Sequence, residues 1–271
     1  MARYLVPAFA LLLSFAVHAA PSPDYWSYWD KTDEHSEVTV DHRQWQGFLD
    51  GYVKLSADTG MYMVAYGRVK RDDKKALDAY LQQLAELDPR KLSRDEQLAY
   101  WINLYNALTV DLILDYYPVK SITRLGKGWF RMGPWRDELI TIAGQAISLH
   151  DIEHRILRPI WNNPRIHYAL NCASIGCPDL LPTAYRSSTI NQQLDAAARR
   201  FINQEKGAEL IDGRLVLSSI FDWYEDDFVD EDGVLEELKV FARKGLKQQL
   251  DRFDGRISYR YNWKLNEYRP E

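Results

Sequence analysis

The chain has 271 residues, 46% of them apolar, with nine Trp, seventeen Tyr and a formal net charge of −5. That length suits one large domain or two small ones, and the aromatic content provides a sizeable core without cross-links. Acidic and basic residues are interspersed, as in "RVKRDDKK" and "WYEDDFVDED", so the chain lacks the net basic face of a nucleic-acid binder.

The N-terminus, "MARYLVPAFALLLSFAVHAAPSPDYW", carries one basic residue, Arg3, before an apolar run from Leu5 to Val17. Val17-His18-Ala19 closes the run with small residues at signal-peptidase spacing, so residues 1–19 are expected to be a cleaved secretory signal peptide. The run is short for a membrane span of about 20 residues. No cysteine follows it to take a lipid. Residues 20–271 are then expected to be one soluble globular domain, periplasmic or secreted, with no nucleic-acid partner and no stable membrane insertion after cleavage. Location makes a small-molecule, peptide or protein ligand of the cell envelope the expected partner.

Beyond the aromatic segment "SPDYWSYWDKT", Trp45, Phe48, Leu49 and Tyr52 fall at i, i+3, i+4, i+7 and predict a helix. "MYMVAYGRV" favours a strand by β-branched and aromatic content. Helical spacing returns with Leu77, Tyr80, Leu81 and Leu84. "LSRDEQLAYWINLYNALTVDLILDYYP" opens on Ser93 and Glu96, a capping-box pair, and stops at Pro118. Its apolar residues run nearly all round, which predicts a buried central helix.

A Gly/Pro-rich loop, "KGWFRMGPW", precedes the strand "ELITIAG". Ser148 and Asp151 are placed to cap the short helix "LHDIEHRILRPI". "RIHYAL" alternates like a strand leading into the cysteines. "STINQQLDAAARRFINQ" is an amphipathic helix, "GRLVLSSIFDWYEDDFV" a strand with a helical turn, "DGVLEELKVFARKGLKQQL" a helix and "RISYRYNWKL" a terminal strand. There is no repeat and no linker. The fold class is α+β: helix-rich, with a central buried helix and a small mixed or antiparallel sheet.

Cys172 and Cys177, the chain's two cysteines, lie in "RIHYALNCASIGCPDLLP" with His167, and three readings stand open. In the first, Cys172 is a nucleophile at the end of the strand, activated by His154 or His167, since an imidazole beside a thiol favours the thiolate. Asn103, Asn106 or Glu153 would orient the imidazole, and Asn171 or loop amides would hold an oxyanion. In the second, Cys172 and Cys177 form a structural or reversible disulfide suited to an oxidising compartment, worth about 2 kcal/mol in so small a ring. In the third, His154, His167, Glu153 and the cysteines bind zinc. His150 and His154, at i and i+4, are the local zinc-like pair, without the glutamate of His-Glu-x-x-His. The spacing match is partial, so no metal and no cofactor are assigned. His35 and His42 lie in polar stretches and are expected to be solvated. Glu153 and Arg158 read equally as a surface-helix pair, and "DWYEDDFVDED" as a solvated acidic turn without calcium-loop spacing.

"EQLAYWINLYNALTV", "ISLHDIEHRILRP", "IHYALNCASIGCPDL", "LSSIFDWYEDDF" and "YNWKLN" occur in this order. Together they resemble the family catalogued as domain of unknown function 547, over about Gln44 to Asn266. The resemblance implies that Asn103, Tyr105, Asn106, Glu153, His154, His167, Cys172, Ser174 and Pro178 fall on its motif positions. It also implies that Cys172 is the functional thiol, because plant relatives often carry serine where this chain has Cys177. Ala173 stands where many relatives have glycine, a departure expected to matter little. Two functions are carried forward. One is a thiol-dependent hydrolase or acyl transferase of the cell envelope, with Cys172 as nucleophile and a histidine base. The other is a non-catalytic envelope binding or interaction module with a structural Cys172–Cys177 disulfide.

Overall fold

A computed structural model describes residues 21–126, 133–228 and 233–269. The expected signal peptide and part of the loop expected at 127–135 lie outside the described residues.

Helix α1 (Arg43–Tyr52) follows a short 3₁₀ turn at Ser27–Trp29 and leads into the antiparallel pair β1 (Val53–Leu55) and β2 (Tyr62–Val64). Helices α2 (Arg71–Glu86) and α3 (Arg94–Asp115) come next. As its all-round apolar pattern predicts, α3 is the centre of the molecule: Tyr100, Trp101, Ile102, Leu104 and Ala107 are sealed from solvent. Trp101 meets Trp29 edge-to-face at 5.1 Å between ring centroids, and Trp45 stacks on Tyr80 at 6.3 Å. The capping box expected at Ser93 does not form. Glu96 turns away instead, accepting from the Val40 amide at 2.7 Å and from the Ser187 hydroxyl. A long-range pair of donors has displaced the local one.

The strand "ELITIAG" is β3 (Ile140–Ile142), folded against β4 (Gln145–Ile147) through a turn at Ala143 and Gly144. The helix "LHDIEHRILRPI" is a π-helix at Asp151–Leu157 that passes directly into α4 (Arg158–Trp161). Its start is capped as expected: the Ser148 amide donates to Asp151 Oδ2 at 2.9 Å, and the Asp151 amide donates to Ser148 Oγ at 3.1 Å. Such wide turns are frequent at functional sites, and this one carries Glu153 and His154.

"RIHYAL" is not a strand. Residues Ile166–Ala169 form the short helix α5, and the chain extends only from Leu170. The local cause is "NNPR". Asn162, left-handed at φ 45°, ends α4, Asn163 Oδ1 accepts from the Arg165 amide at 3.1 Å, and Pro164 supplies a helix-compatible φ in the first turn. Helix α6 (Ile190–Ile202) follows, then β5 (Ala208–Ile211), β6 (Arg214–Ser218), α7 (Ile220–Trp223), α8 (Glu225–Phe228), α9 (Val234–Phe241), α10 (Lys244–Leu250) and β7 (Ile257–Arg260). The single C-terminal helix expected from "DGVLEELKVFARKGLKQQL" is thus two, α9 and α10. Strands β5 and β6 pair antiparallel, and β6 pairs parallel to β7. The sheet is mixed and small, and the architecture is α+β. A second apolar cluster, built on Tyr168, Phe201, Phe221 and Leu238, packs beneath this sheet. Among the described residues no helix is long and apolar enough to cross a membrane.

Candidate functional site

The cysteine loop is tied down before it is reactive. Asn106 on α3 takes the Asn171 amide on Oδ1 at 2.8 Å and donates Nδ2 to the Ala169 carbonyl at 2.9 Å. Asn171 in turn accepts from the Ala173 amide at 3.0 Å and donates to the Pro178 carbonyl at 2.7 Å. At the loop's exit, Asp179 is buried and paired with Arg200 and Lys206, at 2.7 and 2.6 Å. A buried carboxylate persists only with such partners. Asn103 lies elsewhere on α3 and holds another segment, bonding both the amide and the carbonyl of Tyr185, at 3.0 and 2.8 Å.

The C-terminal segment then lies along the loop. The amides of Ile175 and Gly176 donate to the carbonyls of Lys264 and Asn262, at 2.8 and 2.9 Å. A Cβ on Gly176 would stand 2.7 Å from the Asn262 amide nitrogen and 3.0 Å from the Tyr261 ring, so only glycine permits this approach. The approach delivers Tyr261. Its hydroxyl is 3.1 Å from Cys172 Sγ and 3.0 Å from Ser174 Oγ, and Ser174 Oγ is itself 3.2 Å from the sulfur.

Both cysteines are free thiols, so the disulfide considered from the sequence is not formed here. The Cys172 amide donates to Cys177 Sγ at 2.9 Å. Burial alone would push the Cys172 thiol up, but the polar neighbours Cys177, Ser174 and Tyr261 outweigh it and hold the thiol below its ordinary value. Burial, together with the neighbouring Cys172 charge, pushes Cys177 well above its own. Burial also raises the Tyr261 hydroxyl far above 10, so it keeps its proton and donates.

The imidazoles form a second, adjoining cluster, and no histidine is hydrogen-bonded to the Cys172 sulfur among the described residues. His167 Nε2 donates to Asp227 Oδ2 at 2.6 Å. Arg158 holds both oxygens of the same carboxylate, at 2.5 and 3.0 Å. Arg158 Nη1 also donates to His154 Nδ1 at 2.9 Å. Because a guanidinium only donates, that nitrogen is unprotonated. Burial first, then the repulsion of His150 and Arg158, lowers His154 to about 4 despite the opposing Glu153 charge.

Glu153 lies between two tyrosines, accepting from Tyr224 at 2.7 Å and Tyr105 at 3.1 Å. Burial opposes its ionisation, but the nearby His154 and His167 and the two hydroxyls keep the carboxyl below its ordinary range. With His154 neutral at pH 7, its own share of that support is absent there. The two clusters meet at α7: Tyr224 bonds Glu153, while Trp223 packs on Tyr261 at 4.7 Å between centroids. The charge of Glu153 reaches Cys172 and disfavours its thiolate. Trp263 stacks on Trp223 at 5.6 Å, with Trp135 beside it at 6.3 Å, giving a half-exposed aromatic cluster beside the thiol.

Three expectations need correction. His42 is buried, not solvated: Tyr80 lies 2.7 Å from its Nδ1 and Asn103 3.3 Å from its Nε2. Arg158 is not the surface partner of Glu153 but the buried partner of Asp227. The acidic "DWYEDDF" is not a solvated turn, since its Tyr224 and Asp227 complete the imidazole cluster. Tyr224, Asp227 and Tyr261 were missed as site residues; their signal was their position in or beside two of the recurring motifs. Among the described residues no three His, Cys, Asp or Glu side chains gather as a metal-binding group.

Residues 89–202 match the model of a family described as "Protein of unknown function, DUF547". This stretch is a DUF547 segment. It runs from the turn before α3 to the end of α6, so it contains Asn103, Asn106, Glu153, His154, His167 and Cys172 but neither Tyr224, Asp227 nor Tyr261. No curated protein and no solved structure matches the chain.

Proposed function

We propose that the protein is a thiol-dependent hydrolase or acyl transferase of the cell envelope, with Cys172 as its nucleophile. The observation that carries this reading is one buried sulfur in contact with two linked hydroxyls, Tyr261 at 3.1 Å and Ser174 at 3.2 Å. Ser174, Tyr261 and Cys177 favour the thiolate where burial alone would forbid it. The sequence expectation of a histidine base is replaced in this reading by hydroxyls. The Cys172 thiolate attacks an acyl carbon, forming a thioester as the bond to the leaving oxygen or nitrogen breaks. Tyr261 supplies the leaving group's proton and recovers one through Ser174. Water or an acceptor then attacks the thioester and frees the thiol. The signal-like N-terminus supports an envelope location, and neither it nor the family match names a substrate.

A second reading, a non-catalytic binding module, is favoured by the burial of Cys172 (8% exposed) beside half-exposed Trp223 and Trp263. One experiment separates the two. Incubation with p-nitrophenyl acetate should release a burst of about one p-nitrophenolate per protein and leave an acetyl group on Cys172, found by peptide mass mapping. The Cys172→Ser protein should give neither. An acetyl-free Cys172 in folded wild-type protein would refute the enzyme and leave the binding role.

A further inference from the structure

The sulfur of Cys177 lies against the backbone of the nucleophile. The Cys172 amide rests on Cys177 Sγ at 2.9 Å, and the Cys177 thiol donates to the Leu170 carbonyl at 3.6 Å. The intervening residues are wound to bring the ends together. Ala173 is left-handed at φ 58°, the Cys177 amide closes a turn on the Ser174 carbonyl at 3.2 Å, and Gly176 lies flush against the C-terminal segment. Both sulfurs are accordingly within one hydrogen-bonded ring that Asn171 and Asn106 hold in place.

We infer that Cys172 and Cys177 are an attacking and resolving pair for thiol–disulfide exchange with low-molecular-weight disulfides, an activity distinct from acyl transfer. The inference needs Cys172 to be nucleophilic but does not need it to accept acyl groups. In the first step the Cys172 thiolate attacks one sulfur of RSSR, its own proton having passed to solvent. A Cys172–S–S–R bond forms, the RS–SR bond breaks, and RS⁻ leaves and is protonated. In the second, Cys177 gives up its proton and its sulfur attacks Cys172. The Cys172–Cys177 bond forms and the second RS⁻ departs. Two electrons pass from the dithiol to RSSR, which leaves as two RSH. The order of attack follows from the environment. Cys172 is held low and Cys177 high, and part of the elevation of Cys177 is the charge on Cys172. Mixed-disulfide formation removes that charge, which frees Cys177 to act only at the second step.

The test uses the mature exported protein, reduced and then mixed with oxidised glutathione, quenched in acid and mapped by mass. Wild type should lose two hydrogens, join Cys172 to Cys177 and release two glutathiones per chain. Cys177→Ser should stop as a glutathione adduct on Cys172, and Cys172→Ser should react at least tenfold more slowly than wild type. A wild-type protein that halts at the single adduct would overturn the inference, as would a Cys172→Ser protein that reacts at the wild-type rate. Circular dichroism of each variant checks folding. An acetyl-free Cys172 that still exchanges disulfides refutes only the acyl-transfer reading. An acetylated Cys172 without an internal bridge refutes only the exchange.

Discussion

Around Cys172 the hydrogen bonds run among neutral hydroxyls and thiols, whereas around Asp227 one carboxylate gathers a guanidinium and an imidazole. The two ends are linked through α7 yet do different work. Neutral donors can follow a sulfur as it gains or loses charge, because no partner loses a counter-ion when it does. The Asp227 cluster cannot follow in that way. It joins α4, α5 and α8 by charge, and Asp227, held low by His167 and Arg158 against the effect of burial, is ionised throughout the working range. The difference assigns stability to one end and reactivity to the other, and each assignment can be broken separately.

The largest effect should come from Arg158→Met. It leaves Asp227 without its guanidinium and removes the bonds to His154 and the Pro21 carbonyl. Breaking a pair this buried costs about 3–5 kcal/mol, readable in urea unfolding. The alkylation rate of Cys172 in the folded variant should stay within about twofold. A stability loss under about 1 kcal/mol, or a tenfold change in thiol reactivity, would dissolve the division between the two ends.

His154→Gln sharpens the same division through pH. The native pKa of His154 lies at about 4, below the ordinary 6.5. Between these values the unfolded chain takes up a proton that the native chain refuses. The associated stability is therefore present above about pH 6.5 and lost as pH falls toward 4. His42, also lowered to about 4 by burial, Arg186 adding to it, behaves likewise. Wild type should lose about 2–3 kcal/mol more than His154→Gln between pH 7 and 4.5. Parallel losses in the two proteins would show that His154 is not the group responsible.

The parts of this architecture that were legible in the sequence are those with a local cause. Helix α3 announces itself by apolar residues on every face, and the Ser148–Asp151 cap by its spacing. Where a local and a distant partner compete, the sequence reading fails: Glu96 fits a capping box yet bonds the Val40 amide, 56 residues away. In "NNPRIHYAL" the alternation suggested a strand while the Asn-Pro start held the helical signal. Cys172, Glu153, His154 and His167 could be singled out by chemistry and motif. Their partners could not, because Tyr261 is 89 residues from Cys172 and Asp227 is 60 from His167. Folding creates those pairs, and they redirect the imidazoles from the sulfur to a carboxylate.

Tyr261→Phe probes the reactive end alone. It removes one of the hydroxyls at the sulfur while retaining the ring that packs on Trp223 and Trp263. The Cys172 pKa should rise by about one unit, which is about tenfold less thiolate at a pH below it. The pH profile of iodoacetamide labelling measures this directly. An unchanged profile would leave Ser174 and Cys177 as the neighbours that matter.

The smallest expected change is at Ala173, where glycine in many relatives was expected to be of little consequence. Its φ of 58° places a side-chain-bearing residue in left-handed backbone, which glycine occupies without the steric penalty of a Cβ. Ala173→Gly should therefore stabilise the native loop by about 0.5–1 kcal/mol, after part of the relief is offset by the freer unfolded chain. Since Ala173 gives the sulfur no donor, the labelling profile of Cys172 should not move. A thermal shift upward with an unchanged profile would show that the loop's conformation and its thiol chemistry are separable. A lower melting temperature would mean that the left-handed turn is held by the Ala173 side chain rather than in spite of it.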